Sequence, residues 1–263
     1  TLCVSGENMV QVEGSAAPVS LKDVKIGDSV LVDDEGNYGR IYSFGHYGPS
    51  TKANLLSIRT NASPSSLHIS EDHMLFVVED GVRKSVPASA VSVGDTLVTE
   101  FGDTTAVVRI KSAKARGGVY APFTTSGTIV LSGIVASNYV AMQDSDFLVV
   151  AGIKTPFSFQ WLAHTFQLPH RLMCNFFWSE CKAETYTNEG VSSYVDVGLQ
   201  LALWYVNQNA MCAGLVFGFV ILPLLAILSV LDIVVSNPVS FTVTVVGIVV
   251  ARKHVSVNRV GKA

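Results

Sequence analysis

Charge is scarce in this sequence: Asp, Glu, Lys and Arg make up 15% of its 263 residues, against roughly 25% in typical soluble domains. With 49% hydrophobic residues alongside it, that shortage argues against a wholly soluble protein. The shortage is also local, because Asp232 is the only charged residue between Asp196 and Arg252 and 38 of the 39 charges lie elsewhere. The excess apolarity is therefore read as a C-terminal membrane segment. Basic clusters interleaved with aromatics are missing and the net charge is −3, so a nucleic-acid surface is not expected. Cysteines are few as well: Cys3, Cys174, Cys181 and Cys212 are too sparse for a disulfide scaffold, and their spacing matches no zinc pattern. No metal or cofactor is expected. The sequence opens on Thr1 without the cationic start and apolar core of a signal peptide, so we read it as the C-terminal part of a longer precursor.

What is present first is a series of short strands. From residue 9 to about 150, apolar and β-branched runs (29–32, 75–78, 96–98, 106–110, 128–135) alternate with turn residues such as Asp34-Glu35-Gly36-Asn37 and Glu79-Asp80-Gly81. This predicts an all-β domain. Within it, Leu21-Lys22-Asp23-Val24-Lys25-Ile26-Gly27-Asp28-Ser29-Val30-Leu31 aligns with Ala88-Ser89-Ala90-Val91-Ser92-Val93-Gly94-Asp95-Thr96-Leu97-Val98, 67 residues further on. Gly-Asp before a β-run is a common turn, but the shared Val-x-Ile/Val flank indicates an internal duplication.

Composition then changes. Residues 157–207 carry Trp161, His164, His170, Arg171, Trp178, Tyr186, Tyr194, Trp204 and Tyr205 with little β-alternation, which predicts a mainly helical second module. Cys174 and Cys181 either pair in an oxidising compartment or sit as two small buried hydrophobes. Residues 210–231 and 233–251 are uncharged apolar stretches, the first interrupted by Pro223, and each is near the length of about 20 residues a spanning helix needs. A buried core hairpin is the competing reading. The tail cations Arg252, Lys253, Arg259 and Lys262 favour a cytoplasmic C-terminus. A lumenal β-domain then requires an odd number of crossings, and the sequence leaves open which stretch makes them.

The chemistry gathers around Cys3, in Leu2-Cys3-Val4-Ser5-Gly6, and His73, in Ile69-Ser70-Glu71-Asp72-His73-Met74-Leu75-Phe76-Val77. A near-terminal Cys, a Leu-x-x-Val-x-x-Gly-Asp-x-Val strand, a Ser-x-x-His block, the Gly-Asp duplicate and Gly118-Val119-Tyr120-Ala121-Pro122-Phe123-Thr124-Thr125-Ser126-Gly127-Thr128-Ile129-Val130 followed by Ala136-Ser137 together resemble the Hint domain of hedgehog proteins. The resemblance runs from Cys3 to about Val140. It implies autoprocessing: the cysteine thiol attacks the preceding carbonyl, here that of Leu2, to form a thioester, and a second nucleophile releases the N-terminal segment. Cys3 would be the nucleophile, His73 the proton donor to the departing amide nitrogen, on the premise of a histidine pKa near 6.5, and Ser70 a hydrogen-bonding support.

Four departures from the hedgehog pattern stand out. Leu2 replaces Gly before the cysteine, and Ser70 replaces Thr. Laying the family's Phe-x-Asp element on Phe44-Gly45-His46 puts His46 where hedgehogs carry the aspartate that activates the incoming sterol. His46 would then act in the second step alone, or be a turn residue between Phe44 and Tyr47. Asn138 occupies the place of a second cysteine, which removes a redox partner for Cys3 at that site. No His-Asn dyad closes the β-domain, so splicing of the intein kind is disfavoured.

The expectation is thus an all-β, pseudo-twofold Hint fold followed by a mainly helical, membrane-associated module. The segments are a Hint domain over 1–145, an aromatic module over 146–208 in the place of the sterol-recognition region, transmembrane sequence over 209–251 and a basic tail over 252–263. Its substrate would be its own N-terminal segment, its acceptor a sterol-like or other lipid hydroxyl or water, and its location a secretory-pathway membrane or the cell surface, with the Hint domain lumenal or extracellular. A catalytically inactive Hint-fold extracellular anchor is the competing reading.

Overall fold

The computed structural model describes residues 3–63, 65–143, 145–182 and 185–236. Leu2, residues 237–251 of the second apolar stretch and the tail cations lie outside the described residues. Two compact units are present, Thr1–Leu215 and Val216–Ala263.

The duplication is visible strand by strand. A short 3-10 turn, Leu21–Asp23, leads to the strand Ser29–Leu31, and its counterpart Ala88–Ala90 leads to Thr96–Val98. Between turn and strand, Gly27 and Gly94 take φ of 105° and 102°, a region open to glycine but not to residues with a Cβ. The backbone bonds repeat too: Gly27 N–H donates to Ile41 O at 2.8 Å and Gly94 N–H to Val107 O at 2.9 Å. Asp28 and Asp95 each accept from the backbone N–H three residues earlier, on Lys25 and Ser92, at 2.8 Å. That side-chain bond explains why the repeat carries Asp after Gly. Each half continues into an eleven-residue strand, Tyr38–Gly48 or Thr104–Lys114.

Twelve strands join into one antiparallel sheet. Its core holds Val4, Leu21, Ile41, Phe44, Ile58, Ile69, Leu75, Leu97 and Tyr120 among others. The Asp80-Gly81 turn has φ of 51° and 74°, the paired positive values of a tight hairpin turn. The run expected over 128–135 is in fact two strands, Thr128–Leu131 and Ile134–Val140, because Ser132-Gly133 makes the same kind of turn with φ of 50° and 81°.

Helices do follow, at Phe159–Phe166, Leu168–Phe176, Trp178–Lys182 and Ser193–Val206. Ser158 caps the first by accepting from Trp161 N–H at 3.2 Å, and Pro169 sits in the first turn of the second, where its missing N–H costs nothing. Cys174 and Cys181 form a disulfide. The module is less purely helical than its composition suggested: a hairpin, Phe147–Val150 with Ile153–Ser158, precedes the helices, and Tyr186 bridges Ser192 across a second, smaller one.

Residues Ala210–Val235 are helical over 26 residues, about 39 Å at 1.5 Å per residue against a hydrocarbon core of about 30 Å. A π turn at Phe217–Ile221 lies just before Pro223, where the ring pushes away the carbonyl four residues back.

Candidate active site

Cys3 heads the short strand Val4–Ser5, which lies between Leu67–Ile69 and Val119–Thr124 near the middle of the sheet. Cys3 is thereby fully buried, with a reduced thiol packed against Val119 and Ala121. Its backbone is clamped by Ser70 from both sides: Cys3 N–H donates to Ser70 Oγ at 3.1 Å, and Ser70 N–H donates to Cys3 O at 2.9 Å. The nitrogen of the Leu2–Cys3 peptide bond is therefore held by a hydroxyl.

The Ser-x-x-His spacing is a tight turn between two strands. His73 N–H donates to Ser70 O at 3.2 Å, and the strand His73–Glu79 begins there. The buried ring's Nε2 lies 2.8 Å from Ser137 O. A carbonyl only accepts, so Nε2 carries the proton and Nδ1 is a bare lone pair. That Nδ1 meets no hydrogen-bond partner among the described residues. Burial pushes the ring's pKa down to about 4, against the lesser opposing effect of the Ser137 carbonyl. The premise of an imidazole titrating near 6.5 therefore fails at this position, and the resting ring is neutral.

His46 is not in a turn. It lies in the strand Tyr38–Gly48, half-buried, with Nδ1 2.7 Å from Cys3 Sγ. Sheet register explains the meeting. Val4 faces Tyr120 and Ser5 faces Val119, so one residue back Cys3 falls opposite Ala121, which itself faces His46. Two strand spacings, about 10 Å, separate the outer pair, and the small methyl of Ala121 leaves room for thiol and imidazole to meet above it. His46 Nε2 lies 2.7 Å from Glu189 O. By the same logic Nε2 is protonated and Nδ1 is the acceptor, so the Cys3 S–H donates to it. Burial lowers the His46 pKa from its ordinary value, which keeps the ring neutral and able to take a proton near pH 7.

Three of the four residues singled out in the sequence, Cys3, Ser70 and His46, thus touch one another or share a partner, and His73 joins them through the Ser70 turn. Asn138 is buried and donates to Thr124 Oγ1 at 2.8 Å, a core role rather than a thiol's. The sequence reading missed the backbone of Glu189 and Gly190. Thr187-Asn188-Glu189-Gly190 is turn-forming in composition, but nothing local says that this turn reaches His46.

A family model described as the Hint module matches residues 1–207. Among curated proteins, the chain is 24% identical over 220 residues to the Tiggy-winkle hedgehog protein of Danio rerio, covering 79% of this chain and 50% of that protein. It is 26% identical over 219 residues to the Sonic hedgehog protein of Danio rerio, with the same two shares. It is 31% identical over 144 residues to Warthog protein 6 of Caenorhabditis elegans, covering 51% of this chain and 24% of that protein. The chain spans about half the length of the first two relatives. Among solved structures, the gp41-1 intein aligns at a TM-score of 0.41 and 15% identity, covering 51% of this chain and 97% of the intein. An intein-like domain from Clostridium thermocellum aligns at 0.42 and 17%, covering 52% and 99%.

Proposed function

The chain belongs to the Hint family, and on that premise we propose that it cleaves its own precursor at the Leu2–Cys3 bond by way of a thioester on Cys3. The observation that carries this reading is the Cys3 Sγ to His46 Nδ1 contact of 2.7 Å, made while Ser70 Oγ holds the Cys3 amide. A thiol facing an unprotonated imidazole is the arrangement that generates a thiolate at neutral pH.

In the first step His46 Nδ1 takes the thiol proton and the sulfur attacks the Leu2 carbonyl carbon. The S–C bond forms, the C–N bond breaks, and the amide nitrogen gains a proton to become the Cys3 amine. One proton has moved from sulfur to nitrogen. In this reading the proton held by His46 passes to the bare Nδ1 of His73 and from there to the Cys3 nitrogen, which leaves both rings neutral again; a ring whose burial holds its pKa at about 4 gives the proton up readily. In the second step the thiol no longer occupies His46 Nδ1 with a proton, so the same lone pair takes the proton of an incoming hydroxyl. The acceptor's O–C bond forms, the S–C bond breaks, and the proton returns to Cys3. The acceptor is a lipid hydroxyl, sterol-like in class, or water. Both steps need no cofactor.

In this reading residues 1–145 are the autoprocessing domain and 146–208 a module facing lipid. The helix at 210–235 anchors the chain in a secretory-pathway or surface membrane with the β-domain lumenal. Expression of the precursor with an N-terminal reporter tests the central claim by mass. The wild type should release a reporter ending at Leu2, carrying the mass of its acceptor, while Cys3→Ala stays intact and folded, since only a thiol is lost. Release from Cys3→Ala would end the thioester mechanism.

A further inference from the structure

The base that faces Cys3 is held from behind by a segment outside the β-domain. Residues 185–193 fold back on themselves: Thr187 N–H donates to Val191 O and Gly190 N–H to Thr187 O, both at 2.8 Å. This small hairpin docks along the strand Tyr38–Gly48. Tyr47 N–H donates to Gly190 O at 2.8 Å and Ser192 N–H to Gly45 O at 3.0 Å, and His46 itself bridges Val191. Tyr186 packs its ring on Tyr47 with centroids 5.6 Å apart, and Ser192 is fully buried. The hairpin tip then presents the Glu189 carbonyl to His46 Nε2 at 2.7 Å.

A neutral imidazole has two tautomers, and only the one protonated at Nε2 can accept at Nδ1. Because a carbonyl cannot donate, the Glu189 backbone selects that tautomer. Gly190 is required for the approach on two counts. Its φ of +83° lies in the left-handed region, and a Cβ there would stand 2.6 Å from Tyr47 O and 2.9 Å from His46 Nε2 and Cδ2. No side chain fits between the hairpin and the imidazole.

We propose that the 185–193 hairpin is a tautomer lock for His46, with Gly190 as the positioning residue that lets the Glu189 carbonyl fix the ring as the base for Cys3. This inference rests on the autoprocessing reading and adds to it a condition: the segment following the β-domain must be folded before the thiol is activated. The lock acts on thioester formation and through His46 alone.

The test uses the full-length precursor in detergent micelles, with cleavage followed in the presence of dithiothreitol so that every thioester formed is trapped. Gly190→Ala should slow fragment release tenfold or more, while Asn188→Ala, at the exposed tip of the same hairpin, should cleave at the wild-type rate. In a His46→Ala background Gly190→Ala should cause no further loss, because a residue acting only through another has nothing left to act on. A wild-type rate in Gly190→Ala, or the same loss in both backgrounds, overturns the proposal. Imidazole nitrogen NMR on histidine-labelled Cys3→Ala precursor supplies a reading that survives even if Gly190→Ala misfolds. His46 should show protonated Nε2 and bare Nδ1, and the opposite tautomer overturns the lock. Cleavage in Cys3→Ala would instead remove the autoprocessing reading itself, so the two failures are told apart.

Discussion

The Cys3 thiol and His46 Nδ1 stand 2.7 Å apart although 43 residues separate them in the chain. They meet because both belong to one row of the sheet, with Ala121 between them. That row places an imidazole on the nucleophile before any acceptor arrives. In the proposed mechanism His46 would thereby serve thioester formation as well as transfer, a wider role than its alignment with the hedgehog aspartate implied.

His46→Ala should stall the precursor before the thioester, with a loss on the order of 10²–10⁴-fold, the usual contribution of a positioned general base. Added dithiothreitol or hydroxylamine should give no rescue, since no thioester accumulates. Fragment release at the wild-type rate with thiol present would confine His46 to the second step. In the wild type the rate should fall on the acid side as pH drops through the lowered His46 pKa, because the protonated ring cannot take the thiol proton.

Ala121→Leu should separate thiol and imidazole without removing either. The buried row has room for a methyl, and a branched side chain there must displace one of its neighbours. We expect slowed cleavage with a near-native circular dichroism spectrum. Wild-type kinetics in this variant would mean that the Cys3 and His46 contact is not used.

Ser70→Thr keeps a hydroxyl within reach of the Cys3 amide and should be nearly silent. Ser70→Ala removes a hydrogen bond worth about 1 kcal/mol, so thioester formation should slow roughly fivefold, or more if the bond strengthens in the transition state. An unchanged rate in Ser70→Ala would leave Ser70 with only its turn.

Stability should depend on pH through two buried histidines. Burial pushes both His73 and His170 down to about 4, whereas an unfolded histidine titrates near 6.5. Between those values the unfolded chain binds more protons, so stability is fully present above about pH 6.5 and declines as pH falls toward 4. The slope is up to about 1.4 kcal/mol per pH unit for each histidine. Urea midpoints measured at about pH 7, 6 and 5 should therefore fall together with pH, and His73→Gln should flatten the trend. Midpoints that do not move would show that the imidazoles are not held neutral.

The local grammar of the chain was enough for the β-domain, the duplication and the nucleophile's neighbourhood. Gly27-Asp28 and Gly94-Asp95 encode a left-handed backbone followed by a side-chain bond to the preceding turn, and both are short-range requirements that a sequence displays directly. Ser70 and His73 are likewise the two ends of a single tight turn. The uncharged apolar run over 210–231 announces a helix by length and composition alone, and the helix continues past Asp232 to Val235. Tertiary structure decided the rest. The pairing register sets His46 against Ala121 and Cys3, and a register is a relation between strands that no single strand contains. Burial, which depends on everything packed around a ring, moved His73 from an imidazole titrating near neutrality to one held neutral. The Glu189 carbonyl reaches His46 from 143 residues away. It is a backbone atom, identical in every residue type, so nothing in the sequence marks it, and only the fold brings it to the imidazole.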